Sequence, residues 1–256
     1  MDAKETPSNG GVMIVTGASR GIGAAIARIA ATRGYAVAVN YASDAAAAQR
    51  VIDEIRHQGG RAIAIQGDVS NEEDVVRLFE ISDRELGPLG ILLNNAGITG
   101  GFARIAEISG DTLSRVLAIN IAGAFLCARE AVRRLSTRHG GHGGSIINIS
   151  SRAAQLGGAG EWVHYAASKG AIDTLTVGLA REVASEGIRV NAVAPGLIET
   201  ELHAAAGAPD RMARLAPTVP IGRAGQAEEV AECVLWLASS AASYVTGSIV
   251  PVSGGR

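Results

Sequence analysis

The sequence predicts an α/β fold in which helices cover both faces of a seven-stranded parallel sheet, giving three α/β/α layers in a doubly wound order. Short apolar runs alternate with longer helical patterns from Val12 onward, and no charge run, repeat or proline-rich linker interrupts them. Strands of a sheet that is buried on both faces show this kind of continuous apolar run. The predicted strands cover residues 12–15, 36–40, 62–66, 91–94, 145–149, 189–194 and 248–252. The predicted helices cover residues 24–33, 45–58, 72–86, 111–138, 163–185 and 227–237.

Length and composition predict one domain, residues 11–256, behind a flexible polar tail of residues 1–10. A net charge of −2 lacks the basic footprint of a nucleic-acid-binding protein, so no nucleic-acid partner is expected. No uninterrupted apolar run approaches the roughly 18 residues of a membrane span, so no membrane association is expected. The two cysteines, Cys127 and Cys233, have no C-x-x-C spacing and favour a reducing, cytoplasmic location.

A glycine-rich turn joins the first strand to the first helix. Gly17, Gly21 and Gly23 leave backbone N–H groups free at the positive end of a helix dipole, which suits a pyrophosphate. Their G-x-x-x-G-x-G spacing differs from the more familiar G-x-G-x-x-G. Alone, the turn is also compatible with a ligand-free packing role.

The end of the second strand bears on the choice of cofactor. NAD-binding folds usually place a carboxylate there to accept from the ribose 2′-hydroxyl, whereas this strand ends at Asn40 with no carboxylate before Asp44. Its absence and the cation of Arg20 in the glycine turn favour NADP over NAD. Asp44 itself is predicted to cap the following helix, and Arg20 has a simple solvated position as its alternative.

Further candidates follow the third and fourth strands and the long helix after them. Asp68 is a candidate acceptor for an adenine amine, while Ser70 and Glu73 are predicted to form a capping box. Small residues at 94–97 would let a cofactor lie against the backbone. Asn120, in an apolar helical stretch, belongs either to a site or to a satisfied core. His139 and His142 lack a carboxylate or thiol set, so no metal site is predicted.

The residues with the clearest chemistry lie after the fifth strand. Tyr165 and Lys169 are four residues apart on a predicted helix and therefore share one face. An ammonium beside a phenol favours the phenolate, so we expect Lys169 to lower the pKa of Tyr165. Ser151, at the strand end, can donate a hydrogen bond to a carbonyl oxygen while Tyr165 exchanges the proton and a nicotinamide exchanges the hydride.

The combination of these motifs resembles the short-chain dehydrogenase/reductase family, of the classical type, over nearly the whole chain from Gly11. The resemblance is carried by residues 16–23, by 94–97, by Asn120, Ser151 and the Tyr165/Lys169 pair, and by residues 195–196. It implies a Rossmann-like fold and an NAD(P)-dependent oxidoreductase that interconverts a carbonyl and a secondary alcohol. The alternative from another class is a non-catalytic NAD(P)-binding regulator.

The resemblance also implies roles for individual residues. Tyr165 would be the acid/base, Lys169 would hold the nicotinamide ribose, Ser151 would orient the substrate, and Asn120 would anchor a water. One departure is an extra residue between Ser151 and Tyr165, which leaves Ser150 as the fallback. The implied cofactor contacts are Gly17, Ser19, Arg20, Gly21, Ile22, Gly23, Asn40, Asp68, Val69, Asn95, Ala96, Gly97, Tyr165, Lys169, Pro195, Gly196, Ile198 and Thr200.

The substrate and the assembly are less defined. Residues 196–220, rich in Ala, Gly and Pro, are predicted to form a substrate lid. Glu161, Trp162 and His164 are either contacts to a hydroxylated substrate or surface residues. The resemblance suggests sugars of the glucose 1-dehydrogenase kind, 3-oxoacyl thioesters or small ketones as substrates. It also suggests a homotetramer built through the helices that begin near Asp111 and Val163 and through the final strand.

Overall fold

A seven-stranded parallel sheet forms the middle layer of the computed structural model, which describes residues 10–201 and 210–256. The strand order is β3-β2-β1-β4-β5-β6-β7, so the chain reverses its direction of winding between β1 and β4. Ligands of open α/β sheets bind outside the carboxyl ends of the strands at such a reversal. The strands are β1 (Gly10–Val15), β2 (Tyr35–Tyr41), β3 (Arg61–Gln66), β4 (Leu89–Asn94), β5 (Gly144–Ile149), β6 (Ile188–Pro195) and β7 (Ile249–Val252).

Helices cover both faces of this sheet, which confirms the predicted three-layer architecture. Alternate strand residues point to opposite faces: Met13 and Val15 pack with α1, α2 and α9, whereas Ile14 packs with α3, α5 and α7. The helices are α1 (Gly21–Thr32), α2 (Ala45–His57), α3 (Glu72–Leu86), α4 (Gly110–Leu117), α5 (Gly123–Leu135), α6 (Ala153–Leu156), α7 (Val163–Val183), α8 (Arg211–Leu215) and α9 (Ala227–Ala238). Of the predicted tail and lid, residues 1–9 and 202–209 lie outside the described part of the chain.

The helix predicted over residues 111–138 is instead two helices joined by a π-helical turn, Ala118–Ala122. In that turn the N–H of Gly123 reaches back five residues to the carbonyl of Ala118. A Cβ on Gly123 would lie 2.7 Å from Val69, so the chain passes very close to the loop after β3 at this point. Such π-helical turns occur mostly at functional positions in helices, and this one carries Asn120.

By length and mean hydropathy, Gly110–Leu135 is the one helical stretch of the described chain that is apolar enough to cross a membrane, a property the sequence analysis did not expect. The stretch packs on β4, and its last turns carry Arg129, Glu130 and Arg134 in ion pairs. Core helices of soluble folds meet the same two criteria of length and hydropathy. A third of its apolar window is buried inside this chain, and Leu117 and Phe125 on it are exposed.

The ends of two helices test the predicted caps. The carboxylate of Asp44 accepts from the N–H of Ala47, which confirms it as the N-cap of α2. The capping box predicted at Ser70 and Glu73 is wrong, because Asn71 is the N-cap of α3 and accepts from the N–H of Asp74 at 3.1 Å. The Ser70 hydroxyl donates instead to Asp68, at 2.7 Å.

We expect Asn71→Ala to lower the free energy of unfolding by about 1 kcal/mol, because one N–H at the start of α3 loses its acceptor. Asn71→Asp keeps an oxygen at the same place and is the matched control. Urea unfolding of the three proteins measures the difference. A value for Asn71→Ala equal to that of the parent would contradict the assignment of Asn71 as the cap.

Candidate active site

A cleft of about 340 Å³ follows the carboxyl ends of the strands where the winding reverses. Its volume lies in the usual range of small-molecule and cofactor sites. Most predicted site residues line it, and the exceptions are Gly23 and Asn120. Those lining the cleft are Gly17, Ser19, Arg20, Gly21, Ile22, Asn40, Asp68, Val69, Asn95, Ala96, Gly97, Ser151, Tyr165, Lys169, Pro195, Gly196, Ile198 and Thr200.

The glycines of this turn allow an approach of neighbouring chain segments that a side chain would prevent. Gly17 has a φ of +61°, and a Cβ there would lie 2.9 Å from the Cα of Ala96. Gly23 was expected to contact a cofactor but packs instead inside the turn, where a Cβ would lie 2.5 Å from the amide nitrogen of Asn95. The free N–H groups at the start of α1 and the absence of Cβ atoms fit the pyrophosphate of a dinucleotide.

Two side-chain amides, of which that of Asn40 is buried, fix the shape of this turn. The Asn40 side chain accepts from the N–H of Gly17 at 3.2 Å and donates to the carbonyl of Gly67 at 3.0 Å. The Asn95 side chain donates to the carbonyls of Thr16 and Gly17, at 2.9 and 3.0 Å. Both residues line the cleft, but these side-chain bonds are made to the backbone. Their structural effect is to tie the ends of β2, β3 and β4 to the turn.

Charged side chains mark one end of the cleft. Arg20 is exposed, and its guanidinium lies 4.0 Å from the carboxylate of Glu201, a distance and exposure at which an ion pair contributes little. Asp68 accepts from Ser70 and from Arg115, the latter at 2.7 Å. Burial raises the pKa of Asp68, but these hydrogen bonds outweigh it and leave the pKa below its ordinary value. Arg115 lines the cleft beside Asp68 but belongs to no local motif, so the sequence alone does not predict it as a site residue.

Tyr165 and Lys169 share one face of α7, as their spacing predicts, and both are buried. The ammonium of Lys169 donates to the carbonyl of Ile149, at the end of β5, at 2.7 Å and lies 5.8 Å from the centre of the Tyr165 ring. This ammonium is therefore one of the links between the helix and the strand end. A Cβ on Gly97 would lie 3.4 Å from the same nitrogen, so the loop after β4 also closes on it.

The geometry separates the two candidate serines. Ser151 lines the cleft with Tyr165, and its hydroxyl is near enough to the phenol to act against the rise of the Tyr165 pKa. Ser150 is buried, and its hydroxyl donates to the carboxylate of Asp173 on α7. Ser151 is therefore the serine whose hydroxyl lies with the phenol, and the extra residue is taken up in the loop after it. In that loop Gly157, Gly158 and Gly160 all have positive φ angles.

Burial has the largest effect on the ionisation of Tyr165 and of Lys169. It raises the pKa of Tyr165 above its ordinary value, against the smaller opposite effect of the Ser151 hydrogen bond. Burial also lowers the pKa of Lys169 from 10.5 to about 8, with a smaller opposing effect from the charge of Asp173. The expected lowering of the tyrosine pKa by Lys169 is thus not observed in this chain. The physical reason is that desolvation disfavours the phenolate and the ammonium alike.

Asn120 lies beneath the cleft, in the π-helical turn. Its side-chain oxygen accepts from the N–H of Ile98 at 2.8 Å, and its amide donates to the carbonyl of Ile98 and to the Ser168 hydroxyl, at 2.8 and 2.9 Å. Both N–H groups of the amide are thereby used. The side chain holds the loop after β4 against α7, and it has no free donor for a water.

For Glu161, Trp162 and His164, just before Tyr165, the sequence allows either contact with the substrate or a position on the surface. Trp162 is buried, lines the cleft and lies 5.5 Å from the Tyr165 ring, centre to centre. His164 is buried, and its Nε2 lies 2.8 Å from the carbonyl oxygen of Thr99. Glu161 accepts from the guanidinium of Arg211, a residue that follows the undescribed part of the predicted lid. Only Trp162 of the three lines the cleft.

Comparisons with known proteins match this chain to oxidoreductases. A family model described as Enoyl-(Acyl carrier protein) reductase matches residues 17–256. The chain is 51% identical to the uncharacterized oxidoreductase YgfF of Escherichia coli K12, over 96% of this chain and 99% of the relative. It is 37% identical to glucose 1-dehydrogenase 2 of Bacillus subtilis, over 96% of this chain and 94% of the relative.

A solved structure of the same fold contains a nicotinamide cofactor. It is a blue fluorescent protein from a metagenomic library in complex with NADPH, 35% identical to this chain. It superposes with a TM-score of 0.88 and covers 98% of this chain and 99% of the other.

The lowered pKa of Lys169 leads to a test of its burial. Between pH 8 and 10.5 the unfolded chain holds a proton on this lysine that the folded chain has released, so the parent gains stability as pH rises through that window. Lys169→Met has no such group. We expect the variant to unfold with a higher free energy than the parent at pH 7, and the gain to shrink as pH rises from 8 to 10.5.

Urea unfolding of parent and variant at several pH values measures this difference. The window contains little other lysine titration, since the sequence has one further lysine, Lys4. A difference that stays constant from pH 7 to 10.5 would show that the ammonium of Lys169 is not penalised in the folded chain.

Proposed function

The chain belongs to the short-chain dehydrogenase/reductase family, of the classical type, and from this premise we propose that it is an NADP(H)-preferring oxidoreductase that interconverts a carbonyl and a secondary alcohol. The observation that carries the proposal is that Ser151, Tyr165 and Lys169 line one cleft whose far end is a glycine turn. Two hydroxyls side by side can both reach one carbonyl oxygen. Lys169 lies behind them on the same helix face.

The proposed roles follow from this geometry. Ser151 donates a hydrogen bond to the carbonyl oxygen of the substrate and orients it, and Tyr165 transfers its own proton to that oxygen. Burial keeps the phenol protonated, which is the form needed to reduce a carbonyl. When bound, the nicotinamide supplies the hydride to the carbonyl carbon or, in the reverse direction, accepts it.

Other residues are proposed to support this pair. Lys169 holds the ribose beside the nicotinamide, and a ribose hydroxyl that accepts from it would favour its charged ammonium form. Asn120 is proposed to act through the loop it holds rather than through a water on its side chain, because both of its N–H groups are already used. The glycine turn and residues 195–200 are proposed to cradle the pyrophosphate and the nicotinamide end.

The preference for NADP is proposed from the adenosine end of the cleft. No carboxylate of β2 lies where a 2′-phosphate would approach, and Arg20 stands free of any strong ion pair at that end. The carboxylate of Asp44 does line the cleft there, but its oxygen is used by the N-terminus of α2. The arrangement leaves one cation available for the phosphate.

The substrate class, assembly and location are proposed at a coarser level. Sugars and 3-oxoacyl thioesters remain alternatives to simple ketones, and one relative is a glucose 1-dehydrogenase. A homotetramer is supported by large apolar side chains exposed on α4, α5 and the start of α7, namely Leu117, Phe125 and Val163. We also propose that residues 11–256 form one catalytic domain with residues 196–220 as its lid, in the cytoplasm.

We expect Tyr165→Phe to lower the rate of NADPH-dependent ketone reduction by about a hundredfold to ten-thousandfold, because the phenyl ring cannot supply a proton. The absorbance of NADPH with a panel of ketones measures the rate. Tyr35→Phe, at the start of β2, removes a hydroxyl elsewhere and is the control. Equal turnover by Tyr165→Phe and the parent would contradict the proposed mechanism, and no turnover by the parent would favour the non-catalytic alternative.

We expect Arg20→Ala to raise the Kd of NADPH by about tenfold, the effect of losing one charge-assisted hydrogen bond, with the Kd of NADH unchanged. Arg20→Lys keeps a cation at the site and should retain most of the preference. Titration of the cofactor fluorescence gives both constants. A parent that binds NADH more tightly than NADPH would rule out this role for Arg20.

A further inference from the structure

A cluster of two aromatic rings and a guanidinium lies beside the reacting hydroxyls. The Trp162 ring stacks on Phe102, with centres 4.7 Å apart and planes at 20°. Its other neighbour is Tyr165, whose ring is tilted by 49°. Trp162 therefore forms the wall of the cleft next to the phenol, and any substituent of the carbonyl on that side must contact its indole.

Arg211 completes the cluster from α8. Its guanidinium carbon lies 4.6 Å from the centre of the Trp162 ring and 5.3 Å from that of Phe102. Its Nη1 donates to the carboxylate of Glu161 at 2.5 Å. The Arg211 side chain is only 6% exposed, whereas that of Glu161 is 35% exposed, so it is the guanidinium that has been removed from water to hold this arrangement.

The burial of Arg211 is costly for a side chain that serves packing alone. Among the described residues its Nε has no hydrogen-bond partner, and an unpaired buried N–H is destabilising. A methionine or leucine would fill the same space without that cost. What an arginine adds is a flat cation that attracts both ring faces and one carboxylate at the same time.

The position of Trp162 depends on contacts such as that with Arg211, because Trp162 lies in a loop just before α7. The residue precedes the first turn of α7, and its N–H donates to the carbonyl of Gly158 at 2.9 Å. The N–H of Ala103 donates to the carbonyl of Glu161 at 2.8 Å, which joins the loop after β4 to the same turn. Three chain segments thus meet at this indole: the loop after β4, the turn before α7, and α8. Arg211, on α8, contacts Phe102 in the first segment and Trp162 in the second.

Arg211 does not itself line the cleft, so it can influence a substrate only through Trp162. The Arg211 hydrogen bond, ahead of burial in its effect, lowers the pKa of Glu161, and the pair stays ionised at neutral pH. The charges of Arg211 and Glu161 form an ion pair on the side of Trp162 away from the cleft. The surface that faces the substrate is therefore the apolar indole and not a free charge.

We propose that Arg211 is a positioning residue that holds the Trp162 indole as an apolar wall beside Tyr165, and that this wall selects substrates whose carbonyl adjoins a flat, apolar ring. The proposal rests on the carbonyl reduction proposed above and deepens it. It favours cyclic and aromatic ketones over polyhydroxylated sugars and over short open-chain ketones, because stacking on an indole is strongest for a flat partner.

The test uses Trp162 as its own reporter. The sequence has two tryptophans, and Trp236→Phe on α9 leaves Trp162 as the single one. In this background Arg211→Lys keeps a cation near Glu161 but loses the flat stack. Arg214→Lys, an exposed arginine on the same helix, is the matched control.

Two readouts are measured on the three proteins: acrylamide quenching of the Trp162 emission without cofactor, and steady-state kinetics with 1-tetralone and 2-butanone. We expect Arg211→Lys to make the emission more quenchable and to raise the KM for 1-tetralone by about fivefold, as loss of a buried cation–π contact implies. The kcat for 1-tetralone and the KM for 2-butanone should change little. Arg214→Lys should match the Trp236→Phe background in every readout.

Other results would overturn the proposal. Unchanged quenching in Arg211→Lys would mean that Arg211 does not position the indole. An equal rise of KM for both ketones, or a preference of the parent for glucose over 1-tetralone, would remove the selective wall. If the parent reduces no carbonyl at all, the proposed function and the substrate class fail together, whereas a change in quenching would still establish the positioning role.

Discussion

The site depends on one buried cation. The ammonium of Lys169 donates to the carbonyl of Ile149 and so fixes the helix that carries Tyr165 against the strand end that delivers Ser151. Its burial lowers its pKa to about 8, so the folded chain bears an electrostatic cost at neutral pH. The sequence contains 21 arginines but only two lysines. An ammonium whose pKa shifts readily on burial is chemically different from a guanidinium, which stays charged.

A second constraint is the close approach of backbones around the cleft. A Cβ atom on Gly17 would crowd Ala96, one on Gly97 would crowd Asn120, and one on Gly196 would crowd Ser253. Because these glycines lie where β1, β4 and β6 end, the strand ends carry no side chains at these positions that a flat cofactor would have to displace. Asn40 and Asn95 then keep the glycine turn in place through bonds to its backbone. Asn40 and Asn95 thus both line the cleft and, through their side-chain amides, support the glycine turn.

Several features of the site could be predicted from local pattern alone, and others could not. The i, i+4 spacing was sufficient to place Tyr165 and Lys169 on one face, since helix geometry fixes it. The choice between Ser150 and Ser151 needed the folded loop, because an extra residue leaves the spacing ambiguous. The cap of α3 was wrongly predicted at Ser70, since Asp68 captures that hydroxyl. Arg115 and Arg211 were not predicted as parts of the site, since neither belongs to a motif and each meets its partners only through distant segments.

The sequence by itself determined the layered architecture, the turn that opens α1 and the side chains that are candidates for the reaction. These features follow from hydrophobic period, glycine stereochemistry and helix spacing, which all act over a few residues. Only the tertiary structure decided the strand order, the engagement of Asn120 with Ile98 and the direction in which the pKa of Tyr165 moves. It also decided that the indole of Trp162 lies close both to the phenol and to a buried guanidinium. Burial and contacts between remote segments determine these properties, and neither can be obtained from residues that are neighbours only along the chain.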